Sequence, residues 1–306
     1  MKHMISAMAV VALFAGAAAR AEDSGDAAAL KARSVYLSGD DARALALALP
    51  LAEAGVPRAQ TLVGLMYERG HGVAADPKKA MEWFAKAAAQ GFPQALHNAA
   101  YNHEFGEGGL AVDKPKALAL YLQAAAQDFG PSLGNAGVML REGKGVPVDM
   151  ELAVALFERG VALSDPLSNA EFAYMLAEGV GVAVDLPRAR GLYEIAAAQG
   201  IPWAMRDFGD MLERGEGGAT DLPRAMDYFK RAVAEDYAMA GFDIAEMVWA
   251  NPDTFPDPVA ALAYCLWAEA QPPLSDGTDY DGMCDAAAAD LGPEALTEAK
   301  VMASSF

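Results

Sequence analysis

The sequence predicts an all-α fold, a right-handed α-solenoid of helix–turn–helix repeats with a period of 36 residues. Three observations carry this expectation. Asp76, Asp113, Asp149, Asp185, Asp221 and Asp257 stand 37, 36, 36, 36 and 36 residues apart, and an alanine follows each of them by four. Glycines spaced two apart precede the aspartate in five successive units, starting at Gly70, Gly106, Gly143, Gly179 and Gly215. The stretches "DPKKAMEWFAKAAAQG" (76–91) and "DLPRARGLYEIAAAQG" (185–200) are near copies of one another. A period in this range signals stacked supersecondary units, each unable to bury its apolar face alone.

In chain order, residues 1–21 read as a secretory signal peptide. A short basic start at Lys2 and His3 leads into an apolar run, Ala19-Arg20-Ala21 is a small-x-small cleavage site, and acidic Glu22 and Asp23 follow. The apolar run from Met4 to Ala19 is shorter than the roughly 20 residues a spanning helix needs. The mature protein is therefore expected to be exported, periplasmic in the first instance and extracellular in the second, without membrane insertion. Cleavage takes the formal charge from -19 to -21, because Lys2 and Arg20 leave and no acid does. So acidic a chain repels phosphate backbones, which excludes nucleic acid as an expected partner and permits a basic one.

Residues 22–39 form a lead-in and 40–55 a lone second helix that caps the stack, since Asp40 and Ala44 lie 36 before Asp76 and Ala80. Five repeats occupy 56–236. In each, a first helix starts at or beside a proline (Pro57, Pro93, Pro131, Pro166, Pro202), where a missing N–H costs nothing. The helix ends at the first glycine of the pair, in the left-handed conformation that stops a helix without a Cβ clash. The aspartates Asp76, Asp113, Asp149, Asp185, Asp221 and Asp257 then cap the second helix by accepting from an unpaired backbone N–H. Bulky pairs follow: Trp83-Phe84, Leu120-Tyr121, Leu156-Phe157, Leu192-Tyr193 and Tyr228-Phe229. A small residue recurs in the first helix at Gly64, Ala100, Gly137, Ala173, Gly209 and Ala245, which points to close backbone approach between neighbouring helices. The sixth repeat, 237–271, is degenerate. Asn251 and Asp253 replace the glycines, Asn251 being the next residue most tolerant of the left-handed conformation, and Cys265 replaces an aromatic. Residues 272–306 complete the chain as C-terminal cap helices.

The stretch "AQTLVGLMYERGHGVAADPKKAMEWFAKAAAQG" (59–91) resembles the Sel1-like repeat, a relative of the tetratricopeptide repeat, and the resemblance extends over about residues 40 to 270. It implies a non-catalytic scaffold or adaptor for protein–protein contacts, and, by likeness to periplasmic members, a regulator of an envelope sensor or assembly. Cysteine-rich members carry a bridge in every repeat and are associated with peptidoglycan fragments and β-lactams. This chain has two cysteines, so a cell-wall-associated enzyme or glycan-binding protein is the alternative reading.

Chemistry-bearing motifs are few, and no cofactor is expected. His97 and His103 lie six apart in one helix and so face opposite ways, and the His-Glu at 103–104 lacks the second histidine of a zinc protease motif. No serine-acylation motif occurs. Asp276, Asp279, Asp281 and Asp285 hint at calcium, but Gly277 and Ala288 occupy the positions of an EF-hand's first and last carboxylates. A partner protein or peptide is expected instead in the groove lined by first helices, at Leu65, Tyr101, Tyr174 and Asp210, with Trp203 and Met239 up to two turns earlier. Cys265 and Cys284 are expected to form a disulfide. One sits about five residues before its helix ends near Ala270, and the other about five residues into a helix starting near Asp279, which puts the two at the same height.

Overall fold

A computed structural model describes residues 24–271 and 282–306. The expected signal peptide and Asp276, Asp279 and Asp281 lie outside the described residues. Among those residues every regular element is a helix, and the chain divides into two compact units at Leu163 and Ser164.

The first unit begins with a helix over 24–37 (α1), followed by α2 (Asp41–Glu53). The region expected as a lead-in is thus itself a helix, and α2 is not a lone cap. Ala29 and Ala32 of α1 and Ala44, Ala48 and Ala52 of α2 join one core with Ala59, Leu62, Val63 and Met66. Small side chains on both partners allow the close packing that recruits the lead-in. Three helix pairs follow: α3 (Pro57–Arg69) with α4 (Pro77–Ala88), α5 (Pro93–Phe105) with α6 (Lys114–Ala125), and α7 (Gly130–Glu142) with α8 (Met150–Ala162). The extra residue of the second repeat is taken up in a 3-10 turn, Glu107–Gly109.

The second unit holds α9 (Pro166–Glu178) with α10 (Leu186–Ala198), α11 (Pro202–Arg214) with α12 (Leu222–Ala234), and α13 (Met239–Ala250) with α14 (Pro258–Glu269). It closes with α15 (Met283–Leu291) and α16 (Pro293–Ala303), which packs on both α14 and α15.

The ends of these helices follow from backbone chemistry. Asp76, Asp113, Asp149, Asp185, Asp221 and Asp257 each accept, through a carboxylate oxygen, from the backbone N–H three residues on, at 2.9–3.1 Å. First helices α3, α5, α7, α9 and α11 end on glycines with φ between 65° and 74°. Asn251, expected to take the same conformation, has φ -129° instead. Its side chain bonds the Met247 carbonyl at 2.8 Å, so α13 ends through a side-chain contact and not a left-handed residue.

What the small first-helix residue admits is an aromatic ring, where close approach of two backbones was expected. A Cβ placed on Gly64, Gly137 or Gly209 would lie 2.5, 2.6 and 2.5 Å from Cε1 of Phe84, Phe157 and Phe229, each in the second helix of the same repeat. All three phenylalanines are fully buried. Where the small residue is alanine, at Ala100 and Ala173, the corresponding aromatic is a tyrosine, Tyr121 or Tyr193.

Successive repeats are tied by the glutamine of the "AAAQG" phrase. Gln90 Nε2 donates to the Gly55 carbonyl at 3.0 Å, Gln127 Nε2 to Gly91 at 2.8 Å, and Gln199 Nε2 to Ser164 at 2.7 Å. In the repeats without this glutamine an arginine does similar work: Arg159 donates to the Ala125 carbonyl at 2.8 Å and Arg231 to that of Ala197 at 3.3 Å. At the far end Cys265 and Cys284 are bridged, with Cα atoms 5.7 Å apart. Helix α15 starts at Met283, later than expected, so Cys284 is its second residue and not its fifth. Tyr264 of α14 stacks on Phe306 at 4.3 Å, which closes the end.

Two outcomes follow. Gly137→Ala should lower the thermal midpoint by a few degrees, because overpacking against Phe157 costs about 1–3 kcal/mol and alanine's better helix propensity returns only about 1. An unchanged or higher midpoint in circular dichroism would count against this packing. Protein purified under non-reducing conditions and treated with an alkylating reagent should show no modified cysteine by mass spectrometry, and reduction should destabilise it by about 3 kcal/mol. Recovery of both thiols alkylated would contradict the bridge.

Candidate functional site

The exposed face of the first helices is built from positions that vary between repeats. In the second unit these are Glu171, Tyr174 and Glu178 of α9, Asp207, Asp210 and Arg214 of α11, and Glu246 of α13, with Asp243 of α13 buried beneath them, spaced so that each helix contributes successive turns of one face. Arg206 is the centre of this face. Its guanidinium donates to both oxygens of Asp243, at 2.8 and 3.1 Å, and lies 3.4 Å from Asp207 and 3.5 Å from Asp210. Arg214 reaches Asp210 at 3.7 Å from the surface.

The electrostatics reflect more carboxylates than guanidinium groups. Burial lowers the Arg206 pKa, but its hydrogen bonds to Asp243 and the charges of Asp243, Asp210 and Asp207 outweigh it and raise the value. Burial raises Asp207, against the pull of Arg206 and a hydrogen bond from Tyr193. Asp210 is pushed up to about 7, chiefly by burial and further by Asp243 and Asp207, with Arg206 and Arg214 opposing. Glu213 is raised by burial and by the nearby charges of Asp243 and Glu246.

In the first unit the corresponding face holds a cavity of about 410 Å³ between α3 and α5, lined by Leu65, Glu68, His97, Asn98, Tyr101 and Glu107 among others. Tyr101 is 44% exposed, and its ring lies 4.6 Å from that of Phe105. His97 bonds Ser132 at 3.0 Å, and burial lowers its pKa to about 4, so it is neutral at pH 7. Burial also raises Glu68, against Arg69 and with Glu107.

The residues singled out from sequence fall unevenly on these faces. Leu65 and Tyr101 line the first unit's cavity, and Asp210 belongs to the Arg206 cluster. Tyr174 is 37% exposed. Trp203 is half-buried and meets Tyr193 edge-on at 6.3 Å, while half-buried Met239 accepts a 3.4 Å contact from the Tyr237 hydroxyl. Sequence reasoning passed over Arg206, Asp207, Asp243 and Asn98. The signal was available: the register Leu62, Asn98, Asn135, Glu171, Asp207, Asp243 turns from apolar to polar to acidic along the chain.

A larger recess of about 710 Å³ lies beside α15, with Val248, Trp249, Phe255, Pro256 and Leu291 in its wall and Asp290 the one charged group among the described residues that line it. Among the described residues no three His, Cys, Asp or Glu side chains converge to hold a metal ion, and no helix is long and apolar enough to cross a membrane.

Paired helices, glycine ends and a variable exposed face define an α-solenoid of helix–turn–helix repeats. A model of the Sel1 repeat matches residues 57–92, 93–129, 132–165, 167–201 and 204–237, more than half of the chain, which belongs to the Sel1 repeat family. Its structure is similar to the crystal structure of a Sel1 repeat protein from Oxalobacter formigenes, at 25% identity and a TM-score of 0.69, over 80% of this chain and 99% of that one. A protective antigen of uropathogenic Escherichia coli strains that displays an SLR fold shares the architecture at 23% identity and a TM-score of 0.67, over 92% of this chain and 61% of that one. Chitin synthase regulatory factor 3 of Schizosaccharomyces pombe is 56% identical over 41 residues, a match spanning 13% of this chain and 4% of that protein.

The raised pKa of Asp210 has a defined consequence for stability. Between the ordinary value of 3.8 and about 7 the folded chain holds a proton that the unfolded chain has lost. Stability from this group is therefore present at low pH and is lost as pH rises through about 7. Asp210→Asn should raise stability at pH 8, by on the order of 1–3 kcal/mol, and by clearly less at pH 5, where only part of the loss has accrued. Thermal melts of both proteins at the two pH values check this, and equal effects at both would contradict it.

Proposed function

We propose that the chain is an exported, non-catalytic adaptor that holds a basic segment of a partner protein on the first-helix face, and that it regulates an envelope sensor or assembly. Sel1 repeat proteins typically bind other proteins, and their solenoid fold is typical of interaction scaffolds. The observation that carries the reading is the charge of the face in the second unit. Glu171, Glu178, Asp207, Asp210, Glu213, Asp243 and Glu246 outnumber Arg206 and Arg214 there, so a cationic partner relieves repulsion already built into the fold. Export rests on the signal-like residues 1–21, and the sequence of a mature N-terminus beginning at Glu22 would support it.

The binding claim is tested with arrays of lysine- and arginine-rich peptides. Binding should weaken as salt increases. Reversing the exposed Glu178 and Glu246 together to lysine should weaken it by about tenfold while helicity stays intact. Basic peptides that fail to bind, or binding indifferent to the double reversal, would remove the proposed face.

A further inference from the structure

Each of the first five repeats sends a glutamine or arginine back to a backbone carbonyl of the repeat before it, and the sixth departs from this rule. Trp267 stands in the arginine register. Gln271 stands in the glutamine register, but it donates to the Trp267 carbonyl within its own repeat, at 3.4 Å. Between α11 and α13 the described residues supply an ion pair instead. Arg206 Nε donates to Asp243 Oδ2 at 2.8 Å, and Arg206 Nη2 donates to Asp243 Oδ1 at 3.1 Å. Asp243 is 6% exposed, so its charge depends on this bidentate partner in place of water.

The nitrogen that completes this pair is shared. Nη2 of Arg206 also lies 3.5 Å from Asp210 Oδ2, four residues on in the same helix, while Nη1 lies 3.4 Å from Asp207 Oδ1. One guanidinium therefore faces three carboxylates, and neighbouring like charges of this kind favour keeping a proton. A protonated Asp210 leaves Nη2 to Asp243. An ionised Asp210 competes for Nη2 within α11 and repels Asp243 across the gap. Burial, with Asp243 and Asp207 beside it, pushes Asp210 up to about 7, which puts the exchange near neutral pH. Arg214, 3.7 Å away on the exposed side, opposes that push. Glu213 of α11 and Glu246 of α13 add negative charge around Asp243. From α10, Tyr193 donates to Asp207, with Glu171 and Glu178 of α9 nearby. Arg190 of α10 is taken by the carbonyls of Met211, Glu216 and Ala219. From α12, Arg224 lies over the Phe208 ring and pairs with Glu194 of α10.

We propose that Arg206 is a pH-sensitive clasp between the fifth and sixth repeats, which holds α13 beside α11 while Asp210 carries a proton and is drawn back toward Asp210 when that proton leaves. Opening of α13 unburies Asp210 and returns it toward its ordinary value of 3.8. The open form therefore binds the proton less tightly, and it is favoured as pH rises through about 7. Between pH 6 and pH 8 the opening equilibrium should rise by up to about tenfold. The clasp acts in the chain alone, with or without a partner on the first-helix face.

The test is hydrogen exchange of the full chain at pH 6 and pH 8, with each rate divided by the intrinsic rate at that pH, beside a carbon NMR titration of the Asp210 carboxyl. In the wild-type chain the amides of α13 should lose protection at pH 8 by up to about tenfold, while those of α5 and α7 keep theirs. Asp210→Asn, a neutral copy of the protonated side chain, should leave α13 equally protected at both pH values. Arg214→Gln, at a side chain 62% exposed, removes the cation that opposes the shift and should move the loss of protection to higher pH. Asp243→Asn removes the far half of the clasp and should leave α13 poorly protected at both. Equal protection of α13 at the two pH values in the wild-type chain would overturn the proposal. So would a loss that persists undiminished in Asp210→Asn, a loss spread evenly over all the helices, or an Asp210 carboxyl that titrates in the ordinary carboxylate range.

Discussion

Each repeat depends on one contact, the second-helix aromatic ring seated on a residue of the first helix too small to push it away. With glycine at 64, 137 and 209, the ring edges of Phe84, Phe157 and Phe229 come within the space a methyl group would need. Glycine in a helix interior costs roughly 1 kcal/mol in propensity, so its recurrence at this register marks a packing gain that exceeds that cost. The two helices of a repeat are thereby held close, and the Asp caps and glycine ends set where each begins and stops.

The second constraint acts between repeats. A backbone carbonyl at the turn of one repeat meets a donor from the next, from Gln90, Gln127 or Gln199 and elsewhere from Arg159 or Arg231. Each unit then presents its first helices at fixed spacing, so a residue that varies between repeats becomes a point on a surface. The polar groups of that surface are not independent. The hydroxyls of Tyr121 and Tyr193 reach residues of the next repeat, and Arg206 joins carboxylates from α11 and α13. The hydroxyls of Tyr121 and Tyr193 satisfy Asn135 and Asp207, Arg206 satisfies Asp243 behind Phe229, and the Asn98 amide behind Phe84 is left buried without a partner.

The architecture was legible in the sequence because backbone groups impose it. Unpaired N–H groups at a helix start require the same acceptor in every repeat, and a left-handed end requires glycine, so the period shows in residue identity. Less regular parts escaped. The helix over 24–37 carries no period-36 marker, and its role comes from small side chains packing on Ala44 and Ala48. Asn251 ends its helix through its side chain, a route that a rule about glycine substitutes does not anticipate. The glutamine of "AAAQG" was plainly visible, but its partner lies 35 or 36 residues back in three dimensions, where no local pattern points. The face itself is written in differences between repeats. Leu62, Asn98, Asn135, Glu171, Asp207 and Asp243 share a register and little else, and only the geometry around Arg206 shows why the acids gather.

Hydrogen–deuterium exchange on the chain with and without a bound arginine-rich peptide tests most directly the claim that the first-helix face is the working surface. Protection should appear on α5 and on α9, α11 and α13, with the second helices unchanged. Protection concentrated on the second helices, or on the recess beside Trp249 and Phe255, would contradict the account.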